Sequence, residues 1–153
     1  PVCSSAASDV YKRQKQYFFE YKKNLKYFRR FLKNPIEKDL LKTLFISVYE
    51  HNSSKLIADS ISFNLSKTKK RHNYLLSMLK VVLEKLIGLN FSRIQGLKIV
   101  IKGRFNGAPR AKKKLIQLGS LPMQSFNSSI DFSDSTSYTT NGTFGVKVWI
   151  CEK

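Results

Sequence analysis

Cysteine is nearly missing from this chain: Cys3 and Cys151 are the 2 present in 153 residues. Such a pair gives neither metal-ligand spacing nor a disulfide framework, so the sequence reads as native to a reducing compartment. The 2 histidines, His51 and His72, have no Cys or carboxylate at ligand spacing, and no metal site is expected. Acidic residues are few as well, 10 Asp and Glu against 28 Lys and Arg, for a formal net charge of +18. That excess calls for a polyanion, nucleic acid first and an anionic membrane surface second. No run approaches the roughly 18 consecutive apolar residues of a membrane span, so a soluble or assembly-bound protein without a membrane partner is expected. There is no Walker-type phosphate loop and no nucleophile elbow. Asp131 and Asp134 stand in a Ser/Thr-rich stretch, where solvated turn residues are favoured over an acid–base pair; Asp131 could alternatively brace a nearby basic side chain. No catalysis and no cofactor are expected.

What is present suffices for a core: 42% of residues are hydrophobic and 12% aromatic, which a disordered basic tail would lack. The length fits one domain of about 100–150 residues, or two small ones sharing a core. Residues 1–14 stand apart. SSAASDVYKRQ, from Ser4 to Gln14, resembles the in-frame translation of a transposase sequencing adaptor and is expected to be an artefact, not native chain.

Residues 15–33 mix aromatic and basic residues at near-helical spacing, with Tyr17, Tyr21, Phe28, Phe31 and Leu32 on a broad face. This predicts a basic amphipathic helix, either binding RNA or a membrane surface or docking with a solvated basic side. Asn34-Pro35 ends it. A short helix over 36–41 follows, and LFISVY, residues 44–49, reads as a strand. Ser53 is the expected N-cap of a helix to about Leu65. Phe45, Val48, Leu56 and Ile61 are expected to be buried. The cluster at 67–73 is either a hinge or part of a continuing helix. Leu75, Leu79, Val82 and Leu86 then mark a buried helix stopped by Gly88.

Beyond Gly88 the pattern alternates. Leu97, Ile99 and Ile101 fall on one face of a strand, with Lys98 and Lys102 on the other. A Gly/Asn-rich turn follows, Gly103 to Arg110, with Pro109 placed to open a short helix. Phe126, Ile130 and Phe132 suggest another strand, Thr140-Asn141-Gly142-Thr143 a hairpin turn, and Phe144 to Ile150 a last strand. The basic residues Lys102, Arg104, Arg110, Lys112, Lys113 and Lys114, with Asn106 between them, are expected to converge from strand, turn and helix on one phosphate-gripping face. Such a run with no interleaved acid is poor surface design for a free monomer, and a phosphate lattice would offset it.

GLKIVIKGRFNGAPRAKK followed by SIDFSDSTSYTTNGTFGVKVWI resembles the C-terminal domain of ribosomal small-subunit protein three, in its organellar style. LFISVYEHNSSKLIADSISFNL resembles the last strand and helix of that family's type II KH domain, so the likeness covers roughly residues 44–151. The resemblance implies an α+β fold: a two-layer C-terminal domain with an antiparallel sheet flanked by helices, preceded by a partial KH-like segment. The division expected is an adaptor artefact at 1–14, a helix and degenerate KH remnant at 15–68, and the C-terminal domain at 69–153. It further implies a structural constituent of a small ribosomal subunit, bound to rRNA and neighbouring proteins in the head near the mRNA entrance.

Departures from the family pattern qualify this. The GxxG loop with which KH domains clamp single-stranded RNA is absent, there being no glycine before Leu44. The family's basic residues at the mRNA entrance align with His72, Asn73 and Leu76, so Lys67, Lys69, Lys70 and Arg71 become the candidates for that role. Lys, Asn, Ile and Phe usage suits an AT-rich organelle, placing the protein in the mitochondrial matrix ahead of a plastid or a bacterial cytoplasm. The alternative from a different class is a free nucleic-acid-binding factor or a DNA-repair lyase, for which no lysine has a special environment.

Overall fold

The computed structural model describes residues 35–48, 53–69, 71–88 and 94–152. The adaptor-like residues, the helix expected over 15–33, His51 and Lys70 lie outside them.

Helix α1, Pro35–Ile46, runs on into a wider π-type turn over Ser47 and Val48. Leu40, Leu44 and Val48, at successive steps of four, are fully buried along one side. The strand expected over residues 44–49 is therefore not formed at 44–48. Phe45, Ile46 and Val48 have the composition of a strand, but a strand needs a neighbour to take its backbone hydrogen bonds. Among the described residues none lies alongside, so the helical leucine spacing decides the outcome.

Helix α2, Ser54–Lys67, starts where expected: the Ser53 side chain accepts from the Leu56 N–H at 3.5 Å. A second anchor was not foreseen. The Ser54 N–H donates to Asp131 Oδ2 at 2.9 Å, so Asp131 holds a helix N-terminus and not a basic side chain. Ile57, Ala58, Ile61 and Leu65 form the buried stripe. Leu56, expected inside, is 43% exposed, because it lies a quarter-turn off that stripe. Phe45 is only half-buried.

Thr68 ends α2, its backbone N–H donating to Asn64 O, and the next helix starts only at His72, so α2 does not continue through the basic cluster. Helix α3, His72–Ile87, buries Leu75, Leu79, Val82 and Leu86 as predicted, with Leu76, Met78 and Leu83 beside them. Truncating Leu79, Leu83 or Leu86, each fully buried, to Ala would cost about 2–5 kcal/mol.

Four strands follow: β1 Ile94–Gly103, β2 Lys112–Gly119, β3 Ile130–Thr139 and β4 Gly142–Glu152. All pairings are antiparallel, in the order β2-β1-β4-β3. Leu97, Ile99 and Ile101 of β1, Ile116 of β2 and Phe144, Val146, Val148 and Ile150 of β4 point to the helices. α2 lies over β3 and β4, and α3 against β1 and β2. β3 offers α2 serines, with Ser135 Oγ donating to Ser62 Oγ at 2.9 Å. One continuous core joins Leu40 of α1 to Ile150 of β4. The helices cover one face of the sheet, giving an α+β arrangement.

Two sequence expectations shift here. Phe126 belongs to no strand and is fully exposed in the β2–β3 connection. Residues 112–114 open β2 where a short helix was expected, since pairing with Ile101 to Gly103 satisfies their backbone.

Candidate nucleic-acid interface

The basic turn between β1 and β2 is built around two aromatic rings and a histidine. Gly103 ends β1 against the Phe144 ring, where an added Cβ would lie 2.2 Å from a ring carbon. Only glycine lets the two strands meet there. A 3-10 turn, Phe105–Gly107, follows, with Asn106 at φ 54° and Gly107 at φ 76°, both left-handed. Phe105 turns inward and meets Phe144 at 5.2 Å between ring centres. Arg104, on the outside, donates from Nε to the Ala108 carbonyl at 2.9 Å, which closes the loop on itself.

His72 locks this turn to α3. Its ring is 0% exposed and stands 5.1 Å from the Phe144 ring, centre to centre. The Asn106 N–H donates to His72 Nδ1 at 3.1 Å, and the His72 N–H donates to Asn106 Oδ1 at 3.2 Å. Arg71, at the N-cap position of α3, supplies no side-chain cap, so Asn106 does so from 34 residues away. Nδ1 as acceptor puts the neutral ring's proton on Nε2, which finds no hydrogen-bond partner among the described residues. Sequence reasoning treated His72 as a poor substitute for a basic residue. The available signal was a helix start without a capping side chain next to a Gly/Asn-rich turn.

The lock brings the two basic segments to one end of the sheet. Arg71, exposed, adjoins His72, while Arg104 and Arg110 stand exposed on the turn. The β3–β4 hairpin turn lies against the same loop, Gly142 within 3.8 Å of Arg104 Cδ and Gly107 within 3.8 Å of Asn141 Nδ2, as measured from ideal Cβ positions. Lys69 is exposed between α2 and α3, and Lys67 Nζ sits 4.0 Å above the Phe63 ring at the end of α2. The lysines of β2 do not converge on one face. Lys112 and Lys114 pair with Gly103 and Ile101 on the helix side, whereas Lys113 pairs with Lys102 on the opposite side. Strand pleating separates neighbours that a helix could have gathered. Asn106, counted among the RNA-facing residues, spends its side-chain oxygen on His72.

No group of His, Cys, Asp and Glu suited to holding a metal occurs among the described residues.

Comparison with known proteins matches residues 69–150 to the family described as "Ribosomal protein S3, C-terminal domain". The match spans α3, the basic turn and the sheet through Ile150. Proteins named "Small ribosomal subunit protein uS3" are similar over most of the chain. The one from Elm witches'-broom phytoplasma is 32% identical over 117 residues, 76% of this chain and 46% of the relative. That from Endomicrobium trichonymphae is 30% identical over 122 residues, 80% of this chain and 52% of its own length. That from Thermotoga petrophila is 29% identical over 123 residues, 78% of this chain and 56% of the relative. The chain spans about half the length of the curated relatives it matches. With the family's C-terminal domain matched across α3 and the sheet, this chain belongs to the ribosomal protein S3 family.

Proposed function

We propose that the chain is a structural, non-enzymatic constituent of a mitochondrial small ribosomal subunit, binding rRNA in the head near the mRNA entrance. The family match over residues 69–150 carries this reading, and the charge of +18 supports it. In this reading residues 69–153 are the C-terminal domain that binds rRNA, and residues 15–68 an N-terminal helix and degenerate KH-like remnant that serves mainly as a packing platform. Lys102, Arg104, Arg110 and Lys112 to Lys114 neutralise rRNA phosphates. Lys67, Lys69, Lys70 and Arg71 face mRNA, where flexible ammonium stems suit a moving strand better than a rigid guanidinium fork. Neighbouring head proteins are the remaining partners. The mitochondrial setting rests on residue usage, since the relatives compared are bacterial.

Sedimentation of a native lysate through sucrose tests it. The chain should travel with the small subunit, and in fractionated cells with mitochondria. A protein found at the top of the gradient, free of ribosomal subunits, refutes the proposal in favour of a free nucleic-acid-binding factor.

A further inference from the structure

The sheet has a second face, which none of the described helices covers. Antiparallel partners project to the same side, so the pairing registers map it directly. One row across it reads Gln117, Lys98, Trp149, Phe132. The next reads Leu115, Val100, Lys147, Asp134, and a third Lys113, Lys102, Gly145, Thr136. In the first row the rings of Phe132 and Trp149 lie 5.0 Å apart at 37°, and Lys98 Nζ stands 5.5 Å from the Trp149 ring and 3.7 Å from Met123 Sδ of the β2–β3 connection, which reaches this end of the face; Val100 in the second row is buried. Phe132 is 48% exposed although it is a large apolar side chain.

We infer that this open face is a platform for unpaired RNA, with a base stacked on the Phe132–Trp149 pair and the backbone running over Lys98, Lys147, Lys102 and Lys113. The inference rests on the ribosomal reading; its surface meets the basic turn at Lys102 and Lys113 and extends away from it over Lys147, Lys98, Trp149 and Phe132. Its components fit a single strand. Flat rings stack any base, and flanking ammonium groups meet phosphates at no fixed geometry. Asp134, opposite Lys147, is the one carboxylate in the three rows. An acid-poor, lysine-rich surface disfavours this chain's own residues 15–33, whose single acid is Glu20. Gly145 adds room: a Cβ there meets nothing within 4 Å, so the backbone lies open between Lys102 and Thr136.

Trp149 is the chain's single tryptophan, so its emission reports on this face alone. The full chain is titrated with a short single-stranded oligouridylate, following Trp149 emission and the anisotropy of an end-labelled copy. Emission should be quenched with the midpoint of the anisotropy curve, and a hairpin of paired bases should quench far less. Phe132→Ala should raise the Kd about tenfold, the order expected for one lost base–aromatic stack, without changing the salt slope. Gly145→Val, a β-branched side chain in open space, should weaken binding while the urea midpoint stays where it was. Anisotropy rising without quenching, or a Phe132→Ala chain that binds as tightly as the parent, overturns the inference and leaves the ribosomal reading intact. A Phe132→Ala chain that keeps oligonucleotide affinity but no longer sediments with the subunit also overturns it, assigning the face to a protein neighbour. Failure both to bind RNA and to sediment with subunits defeats the ribosomal reading as well.

Discussion

Replacing Asn106 in two different ways separates the contributions to the lock between α3 and the basic turn. Asn106→Ala deletes the acceptor that caps α3, a loss of about 1 kcal/mol, and places alanine at φ 54°, a left-handed strain of about 1–2 kcal/mol. The sum is about 2–3 kcal/mol. Asn106→Gly loses the same cap but tolerates the backbone, and glycine's extra unfolded-state entropy returns about 0.5–1 kcal/mol of cost. It should therefore be the milder change, by about 1 kcal/mol. His72→Ala strands the Asn106 N–H, at about 1–3 kcal/mol, and removes ring contacts with Phe144 and Phe105 worth about 0.5–1.5 kcal/mol. Urea unfolding of the full chain, followed by Trp149 emission, measures all three. With a urea slope of about 1–3 kcal/mol per molar, Asn106→Ala and His72→Ala should lower the midpoint by about 1–2 M. The double variant should fall short of the sum, because each single change deletes one of the two reciprocal bonds and loosens the turn that aligns the other. Equal midpoints for Asn106→Ala and Asn106→Gly would show that the left-handed backbone costs alanine no more than glycine's entropy, about 0.5–1 kcal/mol, and an Ala variant milder than the Gly one would show that it costs nothing there. Strict additivity in the double variant would show that the two residues do not act as a pair.

Three further outcomes are expected. Asp131→Ala should destabilise by about 1 kcal/mol through loss of the α2 cap, with Asp131→Asn recovering part of it, both read from urea midpoints. Replacing Arg104 and Arg110 with Ala should reduce the slope of log affinity against log salt for rRNA by about 2, and an unchanged slope would place the phosphate contacts elsewhere. Crosslinking a long mRNA to assembled subunits should label Lys69, Lys70 or Arg71, whereas labelling confined to Arg104, Arg110 and Lys112 to Lys114 would reverse the division between mRNA and rRNA.

The parts of the fold legible in the sequence were those fixed by local periodicity. The leucine stripe of α3 and the alternation of β1 appear in place, as does the Asn141-Gly142 hairpin, because burial on one side repeats with the period of the element. Phe45, Ile46 and Val48 misled because strand propensity carries no information about whether a neighbouring strand exists. Lys112 to Lys114 misled in the other direction: three consecutive lysines have no apolar period, and only pairing with β1 makes them a strand. The candidate interface was legible in charge and illegible in geometry. Asp131 reaching Ser54 and His72 reaching Asn106 are contacts across 77 and 34 residues, and nothing at the level of spacing announces them. The aromatic pair on the open sheet face depends likewise on the register of β3 against β4.

The strand order has a consequence for the timing of folding during synthesis. β4, the last of the described strands to be made, lies between β1 and β3 rather than at an edge. Until it has left the synthesising ribosome, β1 lacks one of its two neighbours and β3 has none, and the apolar faces of α2 and α3 have only a partial sheet to cover. α2 also waits for Asp131 to secure its first turn. Nascent chains stalled before residue 142 should therefore remain protease-sensitive throughout, and protection should appear in one step once Gly142–Glu152 is free to insert. A stop codon that removes this one hairpin arm should leave no smaller folded version behind, and the incomplete product should present exposed core to degradation.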